Sequence, residues 1–277
     1  MKIFLVIVLV LIALAVVAVV TAGRSNYEEF LADAARIRKD VPTQPAVPVT
    51  DKDLEGLPEP VKNWMKAAGV LGKNRVTGAH LKHAGQFRPS PDGGWSNITG
   101  EYFLTTGKPS FAWFGSMNYL PLVPVVARDS YFDGKGRMLI KLLGTFTMLD
   151  ATGSEIDVSA QGRLLAEFVM LPHALLPGPG ITWEPLTATS AKVTLDDGGM
   201  KARAVFHFGK DALPERAVVE RYYSAKGGAV KATFLGTCLD YKDFQGFRIP
   251  SRMEGTWDLP EGPYKYVDFL ITEASFE

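Results

Sequence analysis

The run from Ile3 to Ala22, IFLVIVLVLIALAVVAVVTA, holds twenty residues without a charge, and it limits what the chain can fold into more than any other stretch. At about 1.5 Å per residue, a helix of that length is about 30 Å long, which is the thickness of a bilayer's hydrocarbon core. We therefore expect residues 1–23 to form one transmembrane anchor. The alternative is a signal peptide cleaved after Val20-Thr21-Ala22, although the apolar core of such peptides is shorter, about 7–15 residues. Lys2 and the amino terminus favour an inside start, while Arg24, Arg36, Arg38 and Lys39 on the other side weaken that bias. The expected product is a single-pass protein of the cytoplasmic (inner) membrane with its body on the extracytoplasmic side.

Residues 24–50 read as a juxtamembrane helix and a linker. Tyr27, Phe30, Leu31, Ala34 and Ile37 recur at helical spacing between Asn26 and Lys39. In Val41 to Thr50, Pro42, Pro45 and Pro48 stand at every third position, a pattern of extended polyproline-like spacers. A second helical stripe follows, Leu54, Leu57, Val61, Trp64, Met65 and Ala68. Pro58 suits its first turn and Gly69 its stop.

From about Asn74 onward the texture is that of strands and tight turns. Strand candidates include Ile98 to Thr106, Phe111 to Met117, Arg128 to Asp133 and Arg137 to Met148. Asp133-Gly134-Lys135-Gly136 and Asp196-Asp197-Gly198-Gly199 are hairpin turns. Few stretches between strands are long enough for crossover helices, so the sheet should be antiparallel. One helix interrupts the series, Ser159 to Leu176, with Ser159 as its cap and Pro172 near its end. The expected fold is mainly β (α+β): a curved antiparallel sheet with a covering helix, forming a single β-rich domain over residues 51–277.

The chemistry is sparse. Lys plus Arg and Asp plus Glu are 30 each, so no long-range field gathers nucleic acid. The one cysteine, Cys238, sits in an apolar strand-like run and reads as a buried thiol. His80 and His83 form H-x-x-H, but on a strand that spacing sends the rings to opposite faces. Asp129, Asp133 and Gly134 lack the spacing of a calcium loop. No catalytic signature, cofactor motif or metal site emerges. Glu167, four residues after Arg163, is either one end of a helix-surface ion pair or a buried acid facing a cavity.

The strand at Phe111 is apolar on both faces, with Phe111 and Trp113 alternating against Ala112 and Phe114; Tyr119 extends the aromatic run. The stretch from Arg137 behaves alike, with Met138, Ile140, Leu142, Phe146 and Met148 on one face and Leu139, Leu143 and Leu149 on the other. Such a sheet needs a cover on each side. One cover is the Ser159 helix; the other is ligand, membrane or more protein. The interior is then either a thick core or a lipid-sized apolar cavity. For the cavity, the lining candidates are Phe111, Trp113, Met138, Ile140, Glu167, Phe168, Leu171, Leu175 and Trp183.

Leu239 to Ser251, LDYKDFQGFRIPS, resembles the strand-turn-strand of the LolA/LolB/LppX-like half-barrel proteins. So does Val205 to Phe208 followed by Leu213-Pro214 and Val218 to Tyr222. That likeness covers roughly the last 90 residues. It implies a half-barrel around a helix-plugged apolar cavity that accepts lipid or acyl chains. The chain lacks a lipobox cysteine and departs there from the lipoproteins. Over most of residues 55–277 it is similar to an uncharacterised bacterial family of unknown function. The matching pieces are Leu57-Pro58-x-Pro60-Val61 with Gly69-Val70, Tyr131-x-Asp133-Gly134-x-Gly136-Arg137-Met138, and Arg163-x-Leu165-Ala166-Glu167. Pro172-x-Ala174-Leu175-Leu176-Pro177 and the Gly246 to Pro250 turn complete them. That resemblance implies a fold and no reaction.

Three functions follow as expectations. The first is a tethered, non-enzymatic binder of an apolar ligand, a lipid or acyl chain. The second is a structural or interaction protein of the cell envelope, its protein partner unknown. The third is an enzyme on envelope substrate, with Glu167, His173 and Asp129 as the acid/base groups at hand.

Overall fold

The computed structural model describes residues 1–39, 41, 47–120, 123–225 and 228–277. Pro42 and Pro45 of the expected spacer lie outside the described residues, as does the side chain of Tyr119. Pro48 is described and bridges to Asn74.

Helix α1 (Lys2–Lys39) is continuous: the apolar run does not end in a break but continues into the second amphipathic stretch. Residues 3–22 carry the exposed apolar side chains, and this is the one described helix long and apolar enough to cross a membrane. Past Gly23, Asn26, Phe30, Ala34 and Ile37 are buried at helical spacing. A short 3-10 turn (Asp51–Leu54) and helix α2 (Glu59–Ala67) follow. Gly69 takes a φ of +73° after α2, as the stop requires.

Thirteen described strands then form one sheet: β1 (Gly78–Phe87), β2 (Ser96–Thr105), β3 (Ser110–Leu120), β4 (Val123–Phe132), β5 (Lys135–Leu142) and β6 (Phe146–Ala151); and β7 (Ile181–Thr187), β8 (Ser190–Asp197), β9 (Met200–Phe208), β10 (Pro214–Ala225), β11 (Gly228–Phe244), β12 (Phe247–Leu259) and β13 (Gly262–Phe276). The spatial order is β6-β5-β4-β3-β2-β1-β13-β12-β11-β10-β9-β8-β7, every pair antiparallel. Two meanders meet where β1 pairs with β13. The sheet curls as a half-barrel around helix α3 (Ser154–Glu167), which touches β4 and β5 on one arm and β9, β10 and β11 on the other.

Two expectations are corrected here. The stretch from Arg137 to Met148 is not one strand; it turns at Leu143-Gly144 between β5 and β6. The covering helix is not Ser159 to Leu176. It starts five residues earlier, at Ser154 behind Gly153, and ends at Glu167. Two 3-10 turns then follow, Phe168–Met170 and Pro172–Leu175. Asp157 explains the early start, because its carboxylate accepts from the Gly136 amide at 2.8 Å and pairs with Lys135 at 2.9 Å. Pro172 explains the early end: it drives Leu171 out of the helical region, to φ −138° and ψ 69°.

The expected apolar sheet with two covers is present. On the concave side, α2, α3 and the two 3-10 turns form the main core with Phe111, Trp113, Phe206 and Phe234 of the sheet. On the convex side, the second half of α1 is the other cover. Phe30 sits 5.7 Å from both the Phe103 and Phe114 rings, and Tyr27 lies edge-on to Phe114 at 5.4 Å. Burying a side chain such as Phe30 is worth about 1.5–3 kcal/mol, so this seam fixes α1 to the sheet.

Candidate functional site

The middle of the concave face is where charge enters an otherwise apolar interior. Strand register lines up Tyr102 of β2, Trp113 of β3, Asp129 of β4 and Met138 of β5 in one row. The neighbouring row is Gly100, Gly115, Ala127 and Ile140. The two glycines leave a shallow trough that flat rings fill. A Cβ on Gly100 would meet the His83 imidazole at 2.3 Å, and one on Gly115 the Trp113 indole at 2.3 Å. The indole Nε1 donates to His83 Nε2 at 2.8 Å, and the imidazole stacks on Phe269 at 4.1 Å.

Helix α3 lowers two charges onto this floor. Arg163 and Glu167, one turn apart, face the sheet together. The Arg163 guanidinium donates to Asp129 at 2.6 Å and to Glu167 at 3.1 Å. It also lies over the rings of Phe111, Trp113 and Tyr102 at 5.0, 5.2 and 5.4 Å. The Tyr102 hydroxyl donates to Glu167. Farther along the concave face, Arg221 of β10 donates from Nε to the Ser159 carbonyl at 3.1 Å and lies over Phe234 and Trp257 at 4.7 and 5.3 Å.

Burial dominates the electrostatics. It pushes the Asp129 carboxyl up, against the pull of Arg163. It lowers the Arg221 guanidinium and raises the Tyr102 phenol well above its usual value, with the Glu167 charge adding to the latter. For Arg163, burial works downward, but Glu167, Tyr102 and Asp129 outweigh it and hold the guanidinium charged. Burial, helped by the Arg163 charge, takes His83 down to about 3. His83 is therefore neutral, with its proton on Nδ1 because Nε2 accepts from Trp113. Among the buried polar atoms with no hydrogen-bond partner among the described residues, His83 Nδ1, Asp129 Oδ1 and Arg221 Nη1 belong to residues around this charge cluster.

Of the nine residues singled out from sequence, Phe111, Trp113, Phe168, Leu171 and Leu175 are buried, and Met138, Ile140, Glu167 and Trp183 are half-buried. Phe111, Trp113 and Glu167 meet around Arg163, with Met138 in the same strand row. Leu175 and Trp183 form a separate group: the indole donates to the Leu175 carbonyl at 2.9 Å beside Phe206. The Phe168–Met170 turn packs against β12. Two clefts, of about 490 and 580 Å³, open elsewhere, and none of the nine lines either. The smaller lies between α1 and the β4–β5 arm, with Asp33, Arg128, Arg137 and Asp157. The larger is a notch where β11 and β12 diverge, with Tyr223, Val230 and Leu259.

Sequence reasoning paired Arg163 with Glu167 but missed Tyr102, Arg221 and the interior role of His83. The H-x-x-H spacing did carry the last signal. His80 lies on the convex face, stacked on Phe103 at 4.0 Å and bonded to Glu101 at 2.8 Å, while His83 faces inward. Asp129 and Glu167 share one arginine; His173 packs edge-on to Phe247 at 5.1 Å, and neither ring nitrogen has a hydrogen-bond partner among the described residues.

A sequence model described as "Family of unknown function (DUF6544)" matches residues 47–269. The chain belongs to the DUF6544 family. No curated protein matches this DUF6544 chain. Among solved structures it is similar to a DUF1329 family protein from Desulfovibrio piger, with 11% identity and a TM-score of 0.45, over 79% of this chain and 92% of that one. It is also similar to a LolA superfamily protein from Nitrosomonas europaea, with 8% identity and a TM-score of 0.40, over 78% of this chain and 93% of that one. Likeness at this level carries no argument about what the DUF6544 chain binds.

Proposed function

We propose that this protein is a membrane-tethered binder of an amphipathic, lipid-like ligand, held in the cytoplasmic membrane by α1 with its body on the outer side. The polar end of the ligand sits at the Arg163 cluster and its apolar part lies between α3 and the concave face. The observation that carries this reading is the set of partnerless buried atoms, His83 Nδ1, Asp129 Oδ1 and Arg221 Nη1, in an aromatic interior. Each costs free energy unless something polar meets it. Two donors and one acceptor fit a headgroup that both accepts and donates.

Helices α2 and α3 and the two 3-10 turns pack against the concave side, so entry requires this cover to lift. The 3-10 turns after α3 suit that role, having fewer regular hydrogen bonds than a helix to break. The tether raises the effective concentration of bilayer lipid at the site.

A second reading, an envelope interaction protein with a solid core, is favoured by one observation. Among the described residues the sheet is open, with β6 and β7 at its edges. One experiment separates the two readings. The full chain is extracted from membranes, analysed by native mass spectrometry, then delipidated and titrated with a fluorescent fatty acid. A lipid adduct, with uptake weakened by Arg221→Met and by Trp113→Asp, is the expected result. A chain that carries no lipid and takes up no fatty acid refutes the binding reading and leaves the second.

A further inference from the structure

We propose that the β5–β6 hairpin is a second membrane contact: Phe146 and Met148 dip into the interfacial layer of the same leaflet that α1 leaves at Ala22-Gly23. This rests on the reading that the apolar part of α1 spans a bilayer.

Position is the first argument. The Asn26 side-chain amide donates to the Ala22 carbonyl at 2.7 Å and to the Gly144 carbonyl at 2.8 Å. A Cβ on Gly144 would stand 3.0 Å from the Gly23 nitrogen and 3.3 Å from the Ala22 Cβ. The hairpin turn is thus pinned to α1 at the level where the uncharged run ends, which in a spanning helix is the border between hydrocarbon and headgroups. From there α1 climbs the sheet, so Arg36 reaches Asp133 at the other end of β4, at 2.9 Å.

Exposure is the second. Phe146 and Met148 are each 64% exposed, more than any other large apolar side chain described beyond residue 20. They stand on β6, an edge strand with no strand on its far side among the described residues. An open edge bearing apolar side chains invites aggregation unless something covers it. A bilayer surface does so, continuing the contact that α1 begins.

Turn chemistry is the third. Leu143 and Gly144 have φ of +53° and +68°, the arrangement of a type I′ turn, whose first central position favours Asn, Asp or Gly. A leucine there is costly. At the far end of the same arm, the β4–β5 turn meets the same need with Asp133-Gly134, at φ of +54° and +71°. The polar turn points away from the end of the apolar run, and the leucine turn lies beside it.

The test uses the full chain in vesicles of phosphatidylethanolamine and phosphatidylglycerol. An environment-sensitive fluorophore is placed at Phe146→Cys, at Met148→Cys, at Leu11→Cys in the apolar run, and at Leu186→Cys on the opposite sheet edge. Cys238 is buried, its thiol pushed up to about 12 by that burial, so it does not react. Lipids brominated near the carbonyl end of their chains should quench the probes at 146 and 148 and blue-shift their emission, and lipids brominated near the chain ends should quench the probe at Leu11, while the probe at 186 keeps its aqueous spectrum. If Leu11 is quenched and both hairpin probes match the one at 186, the hairpin contact is overturned and the tether stands. If Leu11 is not quenched, the tether fails and the hairpin contact with it.

Discussion

Strands β2 to β4 carry a helix on each face, α1 on the convex side and α3 on the concave side, and the two helices place their charges in opposite positions. The buried stripe of α1 is Asn26, Phe30, Ala34 and Ile37, and most of its ion pairs sit at the rim: Arg24 with Glu28, Arg36 with Asp133, Arg38 with Glu277; only Glu29 and Asp33 reach a largely covered partner, Arg128. Helix α3 buries most of its surface, including Asp157, Ser159 and Gln161, and sends Arg163 and Glu167 inward. Simple packing needs only the first design. A buried network costs desolvation that pairing repays incompletely, and an apolar replacement of similar volume is often as stable. The difference teaches that α1 fastens and α3 does something further.

Replacing Arg163 tests that distinction hardest. Arg163→Met leaves Asp129 and Glu167 facing each other's charge in the interior and should cost about 3–5 kcal/mol in urea unfolding followed by tryptophan fluorescence. Adding Asp129→Leu and Glu167→Met to the same chain should recover most of that loss. A single substitution costing less than about 1 kcal/mol would mean the cluster behaves as an exposed pair, and the contrast between the helices would collapse.

Next in size is the α1 seam. Ile37→Ala removes a side chain that is 2% exposed and should cost about 2–4 kcal/mol. Hydrogen exchange locates the effect: amides of the second half of α1 should lose protection while those of β8 to β11 keep theirs. Equal loss everywhere would mean that helix and sheet unfold as one unit.

Acid should expose a concave-side weakness. Burial takes His83 from 6.5 to about 3 and His173 from 6.5 to about 4. Below 6.5 the unfolded chain takes up protons that these sites refuse, so their stability is complete above 6.5. It drains away as pH falls toward the folded values. Between neutral pH and about pH 5, each histidine accounts for roughly 2 kcal/mol. His83→Gln, which keeps an acceptor for the Trp113 indole, should flatten the fall measured by urea midpoints. An unchanged slope would mean that His83 is protonated in the folded chain.

The strand meander, the two apolar faces, the covering helix and the apolar first segment were legible because each repeats a simple period over many residues. What covers the second face was not. The Phe30 stripe and the Phe103 and Phe114 stripe both read as amphipathic, and nothing local says that one packs on the other so far along the chain. The Leu143-Gly144 turn was hidden for a different reason: its leucine contradicts the turn chemistry that marks such sites. Glu167 and Arg163 were visible as a helical pair. Tyr102, Asp129 and His83 join them only through strand register, which follows from pairing over the whole arm. Arg221 belongs to the other meander, and only the curl of the sheet brings it to the same interior.

The smallest expected effect closes the comparison from the other side. Arg24 and Glu28 meet at 2.9 Å, one turn apart, with side chains 81% and 62% exposed. Water screens such a pair, and ordering two long side chains offsets most of what remains. Glu28→Gln should therefore change stability by no more than about 0.5 kcal/mol, against several for Arg163→Met, although both break an i,i+4 pair of the same residue types. The difference in cost then measures burial together with the second carboxylate, Asp129, that Arg163 also holds. Should Glu28→Gln cost as much as Ile37→Ala, the helix segment just past Gly23 is not in water, and the polar rim assigned to α1 is itself part of a buried contact.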